Sequence, residues 1–202
     1  MSEAIAFAVG YLIGSAPTAN GLARLKGIDM RSAGSGNPGT NNARKLGGYG
    51  LAAAILLVEF AKGSAASGFG WVIGDDLTAV VAGIGAITGN VYNFWYRLHG
   101  GKGLAIGGGV LIMLWPPGFV LAVVSIAAMA AVTKSSGKAA AAALIALIAV
   151  GFGWWALAIE NWWGIRSLYL LPWLAISMAI AIVPKHLRDI RSPVTPPDRQ
   201  LR

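Results

Sequence analysis

Long, nearly uninterrupted apolar blocks are the feature that most constrains this chain of 202 residues. The blocks show neither strand-like alternation nor an amphipathic stripe, so nearly every side chain in them needs an apolar environment. Charged residues make up only 12% of the chain, about half of the roughly 25% typical of soluble domains. A bilayer core about 30 Å thick is crossed by a helix of roughly 20 such residues. The sequence therefore predicts an all-α, polytopic integral membrane protein.

About seven transmembrane helices are predicted in a single membrane-embedded domain spanning residues 1–202. The first ten residues lack the basic region of a cleavable signal peptide, so the first segment is expected to remain as a membrane helix. Pro116 and Pro117 separate the fourth and fifth segments and predict a tight turn. The tail at 192–202 is Pro-rich and predicted to be irregular. The predicted segments are 3–24, 50–73, 77–96, 103–116, 118–133, 138–159 and 166–184.

Basic residues are concentrated in alternate loops between these segments. Fourteen of the sixteen Lys and Arg residues follow segments one, three, five and seven. By the positive-inside rule these loops are cytoplasmic, which places the N-terminus outside and the C-terminus in the cytoplasm. The net charge of +8 is then explained by topology and by anionic lipids or substrates. Nucleic acid is not a predicted partner, because the cations do not form one soluble basic face.

The first basic loop contains the sequence GSGNPGTNNARKLGG at residues 34–48. Its glycines allow backbone N–H groups to converge on an anion, and Arg44 can add a forked, charge-assisted contact to a phosphate. An ordinary turn-rich loop is the alternative, because Gly, Asn, Pro and Ser are the usual turn residues. The candidate substrate-binding residues here are Ser35, Gly36, Asn37, Gly39, Thr40, Asn41 and Arg44.

The second basic loop contains HGGKGLAIGGG at residues 99–109. An apolar helix is predicted to begin at Gly100, Gly101, Lys102 and Gly103. The N-terminal N–H groups and the dipole of such a helix favour anions. The spacing of a Walker A motif is absent. The glycines at 107–109 are instead typical of close helix packing.

Two further pairs of polar residues are candidates for chemistry. His186 and Asp189 share one face of the last helix if that helix continues past Pro184. His186 is then a base that Asp189 orients, or both residues belong to a solvated helix end. Glu59 and Lys62 lie inside the second apolar segment, where they form a structural salt bridge or support the anion site. The chain has no cysteine and its two histidines form no ligand cluster, so no metal is predicted.

The usual hydrolase and zincin motifs, G-x-S-x-G and H-E-x-x-H, are absent. Anion-binding loops without an obvious nucleophile indicate a reaction in which the substrate supplies the nucleophile. The protein then contributes position and charge.

Three motifs in these loops resemble those of a known family. The first family motif is S-G-N-x-G-A-T-N-x-x-R, and this chain has SGNPGTNNAR, with one residue deleted after Gly39. The second is G-H-x-x-P-x-F-x-x-F-K-G-G-K-G, and this chain has GNVYNFWYRLHGGKG. The third is H-R-x-N-I, and this chain has HLRDI. The chain is thereby identified as a diverged member of the bacterial acyl-phosphate:glycerol-3-phosphate acyltransferase family, PlsY. It departs from these motifs by having Asn90 for histidine, Asn93 for proline, His99 for lysine, Leu187 for arginine and Asp189 for asparagine.

The resemblance implies transfer of a fatty acyl group from acyl phosphate to glycerol-3-phosphate, giving lysophosphatidic acid and phosphate in the first step of phospholipid synthesis. It implies no cofactor, and a multi-pass protein of the bacterial plasma membrane with its active site at the cytoplasmic face. The implied catalytic residues are Ser35, Lys102 and His186, with Asp189 among the substrate-binding residues.

Two alternatives to this function remain open at the level of the sequence. Asn90 and Asp189 favour a diverged paralogue that acylates another polyol phosphate. The second alternative is a non-catalytic membrane protein that binds anionic lipids or other anions.

Overall fold

The computed structural model describes residues 1–191, and every regular element in that range is helical. The predicted irregular tail at 192–202 lies outside the described residues. A short 3-10 turn covers Phe94–Tyr96. The α-helices are α1 Ser2–Ser15, α2 Thr18–Arg24, α3 Thr40–Ile73, α4 Asp76–Val91, α5 Leu104–Leu114, α6 Pro116–Thr133, α7 Ser136–Ala156 and α8 Leu170–Arg191.

The all-helical membrane class is confirmed, whereas several predicted segment ends are wrong. Within residues 1–191, six helical spans are long and apolar enough to cross a bilayer. The predicted segment 103–116 is helical only over the 11 residues of α5, about 16 Å at 1.5 Å per residue, roughly half of a hydrocarbon core. The number of membrane crossings therefore stays a prediction.

Proline and glycine explain where the helices break. Pro17 separates α1 from α2, although both belong to one predicted segment. Helix α3 begins ten residues before the predicted segment, because the polar run after Gly39 is already helical. Gly48 then bends α3 with φ 77°, a left-handed conformation that glycine adopts without the steric cost of a Cβ. The predicted break at Pro116 is confirmed, with the prolines in the first turn of α6.

Small residues let several helices approach closely. A Cβ on Gly14 of α1 would lie 1.9 Å from the carbonyl oxygen of Ala86 in α4, and one on Gly109 of α5 would lie 2.0 Å from that of Phe60 in α3. Close backbone approach through small residues is the usual way in which membrane helices associate. The prediction that the glycines at 107–109 serve packing is therefore confirmed.

The predicted cytoplasmic loops meet at one end of this bundle. Arg31 donates a hydrogen bond to the carbonyl oxygen of His99 at 2.9 Å, which joins the first two basic loops. Ser135 Oγ donates to the carbonyl oxygen of Asp189 at 3.1 Å, and Lys102 pairs with the Asp189 carboxylate. All four basic loops are thus connected by direct contacts.

A different set of contacts closes the opposite end. Asp76 at the start of α4 accepts hydrogen bonds from the backbone N–H groups of Arg166 and Ser167, both at 2.8 Å. Trp71 also donates to this carboxylate, at 3.0 Å. The bundle therefore has two distinct loop ends, and the membrane face that each one occupies stays a prediction.

Candidate active site

The polar loop before α3 is folded around the buried side chain of Asn42. Its amide nitrogen donates to the carbonyl oxygens of Met30 and Ala33, both at 3.1 Å. Its amide oxygen accepts the N–H of Ser35 at 3.0 Å. A buried amide satisfied by backbone groups fixes the path of the chain around it. Asn42 therefore holds the loop in place from the buried side. The sequence did not distinguish this role from that of the exposed Asn41.

The glycine loop before α5 packs against the end of α4. The N–H of Gly101 donates to the carbonyl oxygen of Asn90 at 2.9 Å. A Cβ on Gly100 would lie 2.0 Å from the same oxygen, so only glycine fits at that position. Gly103 then enters α5 with φ 80°. This packing presents the intervening Lys102 at the loop end of the bundle.

A cavity of about 740 Å³ extends from these loops into the helices. It lies within the 300–1,000 Å³ range of small-molecule sites. Of the thirteen predicted site residues, eleven line this cavity and two, Gly36 and Gly100, do not. The lining residues among those predicted are Ser35, Asn37, Gly39, Thr40, Asn41, Arg44, Gly101, Lys102, Gly103, His186 and Asp189.

The inner wall of the cavity is apolar and comes from five helices. Leu147 lies eleven positions beyond Ser136 in α7, which corresponds to about 16 Å along the helix axis. The sequence did not single out this wall, because residues facing a cavity and residues facing lipid are equally apolar. The wall includes Ile55, Leu56, Phe60, Leu104, Leu111, Phe119, Ile126, Leu144, Leu147, Met178 and Ile182.

Lys102 is paired with Asp189 at the mouth of the cavity. The Lys102 ammonium donates to Asp189 Oδ2, and Ser136 Oγ donates to the same oxygen at 2.9 Å. Burial raises the pKa of the Asp189 carboxyl, but the hydrogen bonds from Lys102 and Ser136 outweigh burial and hold this pKa below its ordinary value. The carboxylate is therefore ionised at neutral pH.

Arg44 and Lys45 are the other cations that line the cavity among the described side chains, and both are exposed. The Arg44 guanidinium carbon lies 5.6 Å from the centroid of the Tyr49 ring. Within residues 1–191, neither side chain forms a salt bridge. No ion pair within residues 1–191 has to break before these two cations bind an anion.

His186 is buried on the cavity wall. Its Nδ1 lies 3.1 Å from the carbonyl oxygen of Ile182, and its buried Nε2 has no hydrogen-bond partner among the described residues. A proton on Nδ1 donated to Ile182 leaves Nε2 as an acceptor. Asp189 bonds to Lys102 and Ser136 instead of orienting this ring, so its predicted orienting role is wrong, while the role of His186 as a base stays a prediction. The alternative of a solvated helix end is wrong for His186 as well.

The predicted salt bridge within α3 is confirmed. Lys62 Nζ lies 3.0 Å from Glu59 Oε1 and also donates to the carbonyl oxygen of Ala16 at 3.0 Å, beside the break between α1 and α2. Asn90 donates to Glu59 Oε2 at 2.9 Å, while its carbonyl oxygen holds the N–H of Gly101. The ion pair thus fixes helix packing and, through Asn90, holds the glycine loop, while its support of an anion site stays a prediction.

The cavity combines cations, hydroxyl groups and loop N–H groups at its mouth with an apolar interior. Such a mouth suits a phosphate, and the interior suits an alkyl chain. Among the described residues, no group of three or more His, Asp or Glu side chains is placed to hold a metal ion. The geometry therefore suits an amphiphile with an anionic head.

Comparison with solved structures agrees with the fold described above. A crystal structure of PlsY (YgiH), an integral membrane glycerol 3-phosphate acyltransferase in its glycerol 3-phosphate form, superposes with a TM-score of 0.74 and 22% identity, over 94% of this chain and 90% of that one. The lysophosphatidic acid form of the same protein gives a TM-score of 0.74 at 21% identity. These two structures share the fold of this chain.

Sequence comparison is more specific than the shared fold. A glycerol-3-phosphate acyltransferase of Synechococcus sp. (strain JA-3-3Ab) is 39% identical over 94% of this chain and 89% of its own length. One of Bradyrhizobium sp. (strain BTAi1 / ATCC BAA-1182) is 39% identical over 76% of this chain and 79% of its own length. The sequence profile of the glycerol-3-phosphate acyltransferase family matches residues 4–195. This integral membrane protein therefore belongs to the glycerol-3-phosphate acyltransferase family.

Proposed function

We propose that this protein transfers a fatty acyl group from acyl phosphate to the 1-hydroxyl of glycerol-3-phosphate, releasing lysophosphatidic acid and inorganic phosphate. The observation that carries this proposal is a cavity that combines a cationic mouth with an apolar interior. Both substrates have phosphates for the mouth, and the acyl chain fits the interior. Family membership supports the same reaction.

In this reaction the substrate provides the nucleophile. The acceptor hydroxyl attacks the acyl carbonyl carbon, and the carbon–oxygen bond to the phosphate then breaks. Ser35, Arg44 and Lys102 position the phosphates, and Lys102 or the loop N–H groups stabilise the developing oxyanion. The hydroxyl proton passes to Nε2 of His186, whose acceptor geometry suits this role, or to a phosphate oxygen of the substrate.

The site belongs at the cytoplasmic face of a bacterial plasma membrane in this proposal. The basic loops that form the mouth of the cavity lie together at one end of the bundle, and the positive-inside rule assigns such loops to the cytoplasm. Soluble glycerol-3-phosphate then enters from the cytoplasm, while the acyl chain and the product remain in the membrane.

The test is phosphate release by the purified protein in lipid nanodiscs, with acyl phosphates of several chain lengths and glycerol-3-phosphate. We expect Lys102→Ala to lower kcat/KM on the order of a hundredfold, because it removes a cation from the reacting phosphates. Lys26→Ala is the matched control, since Lys26 is exposed and does not line the cavity.

The same assay separates the alternative functions. Absence of phosphate release at every chain length would refute the glycerol-3-phosphate reaction. Turnover with a different polyol phosphate only would establish the diverged paralogue. Binding of anionic lipid without any release would favour the non-catalytic alternative.

A further inference from the structure

Among the side chains that the structure describes, the three cations that line the cavity differ in their pairing. Arg44 and Lys45 are exposed and without a salt bridge within residues 1–191. Lys102 already has an anionic partner, the carboxylate of Asp189. A substrate phosphate approaching Lys102 therefore meets a site whose charge is partly neutralised. It also meets the like charge of the carboxylate, which repels it.

Asp189 is held in place by the neighbouring turn before α7. Ser136 Oγ donates to its carboxylate at 2.9 Å and Ser135 Oγ donates to its backbone carbonyl at 3.1 Å. A Cβ on Gly137 would lie 2.8 Å from the Asp189 Cβ and 2.7 Å from the N–H nitrogen of Ile190. The backbone of Asp189 is thus closely packed, and its carboxylate stays beside Lys102.

The Lys102–Asp189 contact leaves the Lys102 side chain able to move. Side-chain exposures of 32% for Lys102 and 29% for Asp189 show that the pair lies at the accessible mouth of the cavity. A Lys side chain is a flexible four-carbon stem that carries three N–H donors. It can therefore turn toward a phosphate while Ser136 keeps its hydrogen bond to the carboxylate.

We propose that Asp189 is a latch that competes with the substrate phosphate for Lys102 and thereby sets the affinity of the site for its phosphorylated substrate. The identity of that substrate rests on the proposed function, whereas the competition for Lys102 does not. Binding breaks the Lys102–Asp189 ion pair and replaces it with a lysine–phosphate contact. Asp189 thus acts through Lys102 and not as a proton acceptor.

The direct test is Asp189→Asn, which removes the charge and keeps an oxygen for the Ser136 hydrogen bond. We expect the KM for glycerol-3-phosphate to fall about three- to tenfold and kcat/KM to rise, the scale of a partly exposed ion pair. The inhibition constant of inorganic phosphate falls in parallel. A rise in KM, or a collapse of kcat that would identify Asp189 as a proton acceptor, overturns the proposal.

A double-mutant cycle shows whether the effect passes through Lys102. Asp189→Asn is introduced beside Lys102→Ala, and binding of inorganic phosphate is measured by titration calorimetry in nanodiscs. The latch predicts that Asp189→Asn tightens phosphate binding more in the wild-type protein than when Lys102 is absent, where only the direct repulsion by the carboxylate is relieved. Equal tightening in both backgrounds overturns the latch, because the carboxylate would then act only as a general negative charge.

The calorimetric measurement also distinguishes the latch from the proposed acyl-transfer function. Tighter phosphate binding by Asp189→Asn in a protein that shows no acyl transfer would refute the proposed function and support the latch.

Discussion

At the scale of single residues, buried polar side chains determine how the loops of the site are built. Asn42 connects the backbone of the first loop to α3. Glu59 and Lys62 connect three helices inside an apolar environment, with side-chain exposures of only 7% and 9%. Buried charges remain favourable only when they are paired and hydrogen-bonded. Removing one member of such a pair therefore affects the fold more than removing both.

We predict that Glu59→Gln lowers the free energy of unfolding by about 3 kcal/mol, because it leaves the Lys62 ammonium buried without a counter-charge. Chemical unfolding in detergent provides the measurement. The control is the double variant Glu59→Gln with Lys62→Met, which removes both charges and should lose less stability. Equal losses in the single and double variants would show that the charge pair is not the cause.

At the scale of elements, the helices are positioned by glycines whose facing neighbours are backbone atoms. The crossing of α3 and α5 places Gly63 opposite the carbonyl oxygen of Ile106, where a Cβ would lie 2.2 Å away, and Gly109 opposite that of Phe60. Lys102, just before α5, lines the same cavity as the first basic loop. A larger residue at the crossing forces the two backbones apart, since packed interiors tolerate little extra volume.

Gly109→Ala is predicted to lower stability by about 1–3 kcal/mol and to reduce activity, because the α3–α5 separation sets the width of the cavity. Gly153→Ala in α7 is the matched control, since no atom lies within 4 Å of a Cβ there. Thermal unfolding and phosphate release of both variants provide the comparison. Unchanged stability and activity in Gly109→Ala would show that the helices move apart without loss of free energy.

At the scale of the whole molecule, the cavity is a product of three loops and five helices. Its polar mouth combines residues as distant in sequence as Ser35 and Asp189, and its inner wall reaches Leu147 and Met178. Its lining changes from cations at the loop end of the bundle to hydrocarbon side chains between the helices. An amphiphilic substrate can therefore bind with its head at the interface and its chain in the membrane.

Ala143→Phe is predicted to shift the preference of the enzyme toward shorter acyl phosphates. Ala143 lines the cavity seven positions beyond Ser136 in α7, about 10 Å along the axis, so a phenyl ring there obstructs the deeper part. Comparing kcat/KM across acyl phosphates of increasing length provides the measurement. An unchanged profile would mean that the acyl chain lies elsewhere.

The two loop ends of the bundle allow a direct test of orientation, because the chain contains no cysteine. Single cysteines at Lys26 and Glu160, both exposed, report the basic end and the opposite end. We expect a membrane-impermeant maleimide to label Glu160→Cys but not Lys26→Cys in intact cells. The reverse pattern would invert the predicted orientation, and equal labelling would contradict the separation of the two ends.

The sequence by itself determined the membrane class, the helical content, the alternation of basic loops and most residues of the polar mouth. These properties depend on local composition and on short motifs, which are read without knowing what lies opposite. Only the tertiary structure decided that Lys102 meets Asp189, that Asn42 supports the first loop, and which apolar residues line the cavity. In a bilayer the inside and outside of a bundle are equally apolar, so helix packing alone separates the cavity wall from the lipid-facing surface.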